Sequence, residues 1–178
     1  IMLLEDGVPI APAPYAASSA YYFPTAGRMY SVEVLKGPAA ITEGPNTIGG
    51  AINMISTPIP EETEGKVVAE VGGNSTTRVH AAYGSTNSDG FGYLIETHQW
   101  KSDGFQSIDG SNSGTGLDIR DYTLKLGYAS VDSRHAFELK YQYADQDSNQ
   151  SYLGITDADF DLNPYRRYSV SQNDVMTT

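Results

Sequence analysis

The sequence has no cysteine, no long apolar run and few cations, and each lack removes a class of function. Without cysteine there can be no disulfide and no thiolate metal ligand. A transmembrane helix needs about 18 or more consecutive apolar residues, and no such run occurs. A transmembrane β-strand is untouched by that test, because its apolar residues fall at alternate positions and keep mean hydropathy low. Eleven Lys and Arg stand against 22 Asp and Glu, a formal charge of −11, so binding of nucleic acid by phosphate neutralisation is not expected. No G-x-S-x-G elbow is present, and the Gly-rich stretches lack the Lys and following helix of a phosphate loop. Catalysis therefore has no support: no catalytic residue, no resident metal and no covalently bound cofactor are expected. Neither a basic n-region nor an apolar h-region opens the chain at Ile1, and no terminal motif closes it at Thr178, so an internal piece of a longer protein is expected.

Among what is present, thirteen tyrosines and eighteen glycines stand out. Tyrosine suits a membrane interface, where its ring is apolar and its hydroxyl wet. The texture changes along the chain. Residues 1–60 carry Pro, Gly and Ala between short apolar runs. The stretch Thr57-Pro58-Ile59-Pro60-Glu61-Glu62 discourages regular structure and marks a boundary. Beyond it, residues 61–178 show period two, the mark of a strand with two unlike faces. Tyr122, Leu124, Leu126 and Tyr128 alternate with Asp121, Thr123, Lys125 and Gly127. Phe137, Leu139, Tyr141 and Tyr143 alternate with Glu138, Lys140 and Gln142. Phe91, Tyr93 and Ile95 alternate with Gly92, Glu96 and His98, with Leu94 out of pattern. The spacing predicts strands at about 66–73, 76–86, 90–101, 120–131 and 134–146. Short links at 87–90 and 131–134 alternate with longer ones at 102–119 and after Asp145; the link at 73–75 is short where a long one is expected. Such a pattern fits an outer-membrane barrel and a soluble β-sandwich equally.

The first region separates the two. Asp6-Gly7-Val8-Pro9-Ile10, then Val32-Glu33-Val34-Leu35-Lys36-Gly37-Pro38, then Gly49-Gly50-Ala51-Ile52-Asn53 follow one another in order. Val32, Val34 and Leu35 are expected to make a short buried strand that Lys36-Gly37-Pro38 ends. These three motifs, with their order and spacing, resemble the plug domain of TonB-dependent outer-membrane receptors. The stretches Ala13-Pro14-Tyr15, Tyr21-Tyr22-Phe23-Pro24 and 151–168 resemble receptors similar to the ferric dicitrate receptor. The resemblance implies a mainly β protein: residues 1–60 the end of a mixed α/β plug, residues 61–178 the first antiparallel strands of a transmembrane β-barrel. It implies a Gram-negative outer membrane, with membrane lipid and lipopolysaccharide as surroundings. It further implies a ferric chelate as transported ligand and the TonB complex as partner, engaged through a TonB box that this sequence does not contain. The apolar strand faces would meet lipid, the polar faces would line the lumen, and loops 102–119 and 146–165 would face outside. Other cargo of the same family (a corrinoid, nickel chelate or glycan) and a soluble carbohydrate-binding β-domain are the alternatives.

Candidate ligand-binding residues follow from the charge and aromatic content of these stretches. Arg166 and Arg167 could bind the carboxylates of an anionic chelate in bidentate fashion, pair with Asp157, Asp159 or Asp161, or face lipopolysaccharide. Tyr15, Tyr21 and Tyr22 could sit at the plug apex or pack between plug and barrel wall. The series Asp157, Asp159, Asp161, Asn163 fails as a calcium loop, since Leu162 and Tyr168 stand where Gly and Glu are required, and reads as a solvated acidic loop. His80 and His98 fall on polar strand faces and read as lumen-lining groups.

Overall fold

The computed structural model describes residues 2–10, 24–37, 49–109, 114–130, 134–149 and 154–167. The chain divides into two compact units, Ile1–Pro58 and Ile59–Thr178.

The first unit is a four-stranded mixed sheet. Strands β1 (Met2–Glu5), β2 (Val8–Pro9), β3 (Met29–Lys36) and β4 (Gly50–Ser56) lie in the order β2-β1-β4-β3. β1 and β2 form a hairpin whose two-residue loop, Asp6-Gly7, has positive φ at both positions, as a tight turn matched to strand twist requires. β1 runs parallel to β4, and β3 antiparallel to it. Gly50, the second glycine of the Gly49-Gly50 pair, has φ +127, and the Leu35 carbonyl occupies the place a Cβ would need. Leu3, Leu4, Ala51 and Met54 are buried, whereas Val32 and Val34, expected in a buried strand, are exposed on β3, the edge strand of this sheet. Among the described residues of this unit the helical content is one 3-10 turn, Ala26–Arg28. Arg28 is fully buried and donates two bonds to Glu5, Nη1 to Oε1 at 2.8 Å and Nη2 to Oε2 at 2.9 Å. Next to it the Asp6 carboxylate accepts from the Ser56 backbone N–H at 2.9 Å and from the Ser56 hydroxyl at 2.6 Å.

The second unit is built on an antiparallel meander, β5 (Glu64–Gly72), β6 (Thr76–Thr86), β7 (Phe91–Ser102), β9 (Leu117–Ala129) and β10 (Ala136–Ser148), each paired with the next. Two short strands, β8 (Ser107–Ile108) and β11 (Arg166–Arg167), and one helix, α1 (Asp157–Leu162), belong to the connections. Each of the five predicted strands is found within three residues of its expected ends.

Register arranges the outward residues of the meander in rows. Phe91–Tyr128–Phe137 form one row, and Tyr93–Leu126–Leu139 the next. Then come Tyr83–Ile95–Leu124–Tyr141 and Thr97–Tyr122–Tyr143. On β7, β9 and β10 the aliphatic residues thus fall in the two middle rows, with aromatic rings in the rows on either side, and the following rows, Gln99–Arg120–Asp145 and Lys101–Asp118–Asp147, are polar or charged. On β5 and β6 the exposed Val67, Val79 and Val71 carry the apolar face on into the rows of Tyr122, Arg120 and Asp118. Every Phe, Tyr, Ile and Leu in these rows is exposed. On β7 and β9 the opposite face is polar and buried: Glu96, His98, Asp121, Thr123 and Lys125 are each 3% exposed or less. Leu94, out of pattern in the sequence, lies on this face and is buried with them. A water-soluble sandwich places its apolar face inward and its charges outward; this sheet does the reverse. An apolar band edged by aromatic rings is the outer surface of a transmembrane barrel.

At the short-turn end of the polar face, residues 59–63 lie across the sheet. Gly84, Gly92 and Gly127 sit on β6, β7 and β9, and a Cβ on any of them would come within 2.8 Å of Ile59 or Pro60 side-chain atoms. The Thr86 hydroxyl donates to the Pro60 carbonyl at 2.7 Å, and the Thr63 and Ser85 hydroxyls bond to each other at 2.8 Å.

Candidate ligand site at the loop end of the sheet

The opposite end of the meander carries the long connections. The link at 73–75 stays a tight turn there, with Thr76 N–H bonded to the Gly73 carbonyl. Its Asn74 carbonyl accepts from Asp103 N–H at 2.9 Å, which ties it to the β7–β9 connection. That connection folds back on itself, Thr115 N–H donating to the Gln106 carbonyl at 3.1 Å, and the residue after β10 meets it, Asn149 N–H donating to the Gly116 carbonyl at 3.0 Å. The segment after β10 then docks on it. β11 pairs in parallel with β8, Ser107 N–H donating to the Tyr165 carbonyl at 2.7 Å and Asp109 N–H to the Arg167 carbonyl at 2.9 Å.

Helix α1 occupies the acidic stretch read from sequence as a solvated loop. Thr156 is its N-cap, its hydroxyl accepting from Asp159 N–H at 3.2 Å, and Asp157 and Asp159 in the first turn suit the positive end of the helix. The signal was present as Thr156-Asp157-Ala158-Asp159, a hydroxyl residue followed three positions later by an acid.

Arg166 joins these pieces. Its Nε donates to Asp109 Oδ2 at 2.7 Å, and its Nη1 to Asp159 Oδ1. One guanidinium thus fastens the β7–β9 connection and α1 to β11. Of the three aspartates considered from sequence as partners it meets Asp159, and it also meets Asp109, which lies too far along the chain for spacing to suggest. Arg167 is 6% exposed. Tyr15, Tyr21 and Tyr22 lie outside the described residues.

Between these segments is a cavity of about 680 Å³, within the usual range for a small-molecule site. Its apolar wall is Trp100, Phe105, Leu117, Ile155, Phe160 and Pro164; Arg166 and Arg167 also line it. Phe105 and Phe160 are more than half exposed. Trp100 carries the Arg78 guanidinium over its ring, 4.5 Å from the centroid. The aromatic wall was missed from sequence, where Phe105 and Phe160 are single rings in polar stretches. His80 and His98 are cross-strand neighbours on the polar face, with ring centroids 5.9 Å apart and His80 Nε2 2.8 Å from Glu96 Oε1. They stand one row inward on the same face from Arg78 and Trp100 and do not line the cavity, and among the described residues no group of three or more His, Asp or Glu is placed to hold a metal ion.

No family model matches the sequence. Among solved structures, the unliganded ferric citrate transporter FecA superposes on 93% of the chain with a TM-score of 0.73 at 24% identity. The fold is that of a TonB-dependent receptor, part of its plug and the first strands of its barrel. The ferric yersiniabactin uptake receptor FyuA from Yersinia pestis has this receptor fold too, covering 86% of the chain with a TM-score of 0.72 at 20% identity. In sequence the chain is 30% identical over 128 residues, 72% of its length, to the vitamin B12 transporter BtuB of Vibrio vulnificus (strain CMCP6). It spans 19% of that transporter, 25% of FecA and 24% of FyuA. The relatives that share the fold are named as transporters and receptors rather than enzymes.

Proposed function

We propose that this chain is part of a TonB-dependent receptor that takes up a ferric chelate, a siderophore or ferric citrate, across the outer membrane of a Gram-negative bacterium. The observation that carries this reading is the inverted sheet, with Phe, Tyr, Ile and Leu outward and Glu96, His98, Asp121 and Lys125 buried. Within lipid every backbone group must find a partner, so such a sheet is at home as an arc of a closed barrel. No bond is made or broken in this function. The loop-end cavity and the plug bind the cargo, with Tyr15, Tyr21, Tyr22, Arg166 and Arg167 as ligand-binding candidates. The TonB complex, engaged through a TonB box elsewhere in the protein, then rearranges the plug. Outer-membrane lipid faces the apolar rows and lipopolysaccharide surrounds the charged rows beyond Tyr122 and Tyr143.

A corrinoid cargo is the second reading, favoured by the 30% identity to the B12 transporter. Uptake of iron-55 citrate, iron-55 siderophores and cobalt-57 cobalamin by cells with and without the full gene decides between them. Gene-dependent iron uptake is expected, and loss of that dependence in a strain lacking TonB. Gene-dependent uptake of cobalamin alone selects the second reading, and uptake of every probe without the gene overturns both.

A further inference from the structure

We propose that the cavity at the loop end selects a metal chelate with an apolar outer surface and no net negative charge, and so discriminates against a carboxylate complex such as ferric dicitrate. The inference rests on the uptake reading above and narrows its cargo.

Three observations carry it. The first is the wall: six apolar side chains, two of them the exposed rings Phe105 and Phe160, are drawn from β7, the β7–β9 connection, β9, α1 and the turns flanking it. Rings of this kind stack on, or pack against, a large apolar solute and give nothing to a hydrated carboxylate. The second is the state of the two arginines. Arg166 already donates to Asp109 and Asp159. Two carboxylates thus already stand at this guanidinium and offset its charge, so a third brought by the cargo meets their repulsion. Arg167 is 6% exposed and presents little surface to a solute. The third is the field. The described loop residues 103–109, 114–116 and 154–167 contain Asp103, Asp109, Asp157, Asp159 and Asp161, five acids against the two arginines. A polyanion approaching this rim is repelled, and a neutral or cationic chelate is not.

Two sources offer the shared chemistry, a ferric tris-hydroxamate and a corrinoid. The test uses the purified full-length receptor and three probes in calorimetric titration: ferrichrome (a neutral ferric tris-hydroxamate), cyanocobalamin and ferric dicitrate. One of the first two is expected to bind at least about tenfold more tightly than ferric dicitrate, and which one does identifies the source. Equal or tighter binding of ferric dicitrate overturns the inference and leaves chelate uptake standing. Binding of none of the three also overturns the inference, and the cell uptake assay then decides the reading beneath it. The double substitution Phe105→Ala with Phe160→Ala alters two exposed loop side chains and is expected to weaken the preferred probe by about tenfold or more. Unchanged affinity in that variant, with the wild-type preference intact, overturns the assignment to this cavity.

Discussion

Leu126 and Lys125 are consecutive in β9 and face opposite ways, Leu126 exposed among Tyr93 and Leu139 and Lys125 buried on the polar face. Leu126→Arg puts a charge in the aliphatic middle of the band, at a cost of roughly 2–4 kcal/mol if it lies near mid-bilayer. The full-length receptor carrying it is expected to lose most of its heat-modifiable form on gels. From the sequence, Lys125→Ala should be nearly silent for assembly. The structure adds an effect on stability, because Lys125 Nζ lies 3.2 Å from Glu138 Oε1 and is itself buried. A cost of about 1 kcal/mol is expected instead, visible as a lower unfolding temperature with assembly retained. In the first unit, Arg28→Ala leaves Glu5 charged, buried and without its bidentate partner, and is expected to destabilise that unit by about 3–5 kcal/mol. Limited proteolysis of the full-length receptor would show it, and Arg28→Lys should not fully restore resistance, because an ammonium lacks the fork. At this scale the alternating faces were legible wherever polarity changed at every step. Leu94 was not, because a lone leucine among Glu96 and His98 reads as an error in a two-residue period. Nor was the pairing of Arg166 with Asp109, which the chain separates by 57 positions.

Strand positions were legible for the same reason, and the turn at 87–90 follows from its polar residues. The seat of residues 59–63 was not legible. Gly84, Gly92 and Gly127 read singly as weak points in strands, and only the register brings them together under Ile59 and Pro60. At Gly84 a side chain meets the Tyr93 carbonyl and the rigid Pro60 ring, so Gly84→Val is expected to lift residues 59–63 from the sheet. Cleavage by a glutamate-specific protease at Glu61 or Glu62 of the folded full-length receptor should then quicken about tenfold or more, as a local opening made easier by about 1.4 kcal/mol or more allows. Equal cleavage rates in variant and wild type would mean that the glycines serve some other purpose. Helix α1 was hidden by its aspartates, which looked like a solvated run, although the Thr156 cap preceded them.

For the molecule as a whole, five meander strands leave β5 and β10 with open edges. In water such edges pair with other chains, and in lipid their backbone groups go unsatisfied. Residues 1–178 expressed alone and offered to vesicles are expected to aggregate and to show no heat-modifiable band, while the full-length receptor shows one. Fold was readable because the motifs at 6–10, 32–38 and 49–53 occur in order. Cargo was not, because the cavity draws its wall from connections distant in sequence, and composition cannot tell which arginine is already occupied.

The parallel pairing of β1 with β4 determines how the first unit answers tension. A pull on the chain ahead of Met2, opposed beyond Ser56, slides the two strands lengthwise past each other, because Met2 lies beside Ala51 and Glu5 beside Met54. All their mutual hydrogen bonds are then strained together, where a hairpin pulled from its open end would unzip one bond after another. Glu5 on Arg28 and Asp6 on Ser56 brace the far end of that slide. The unit is therefore mechanically stiff along this axis, and in single-molecule stretching of the intact receptor Arg28→Ala should lower the rupture force of this step.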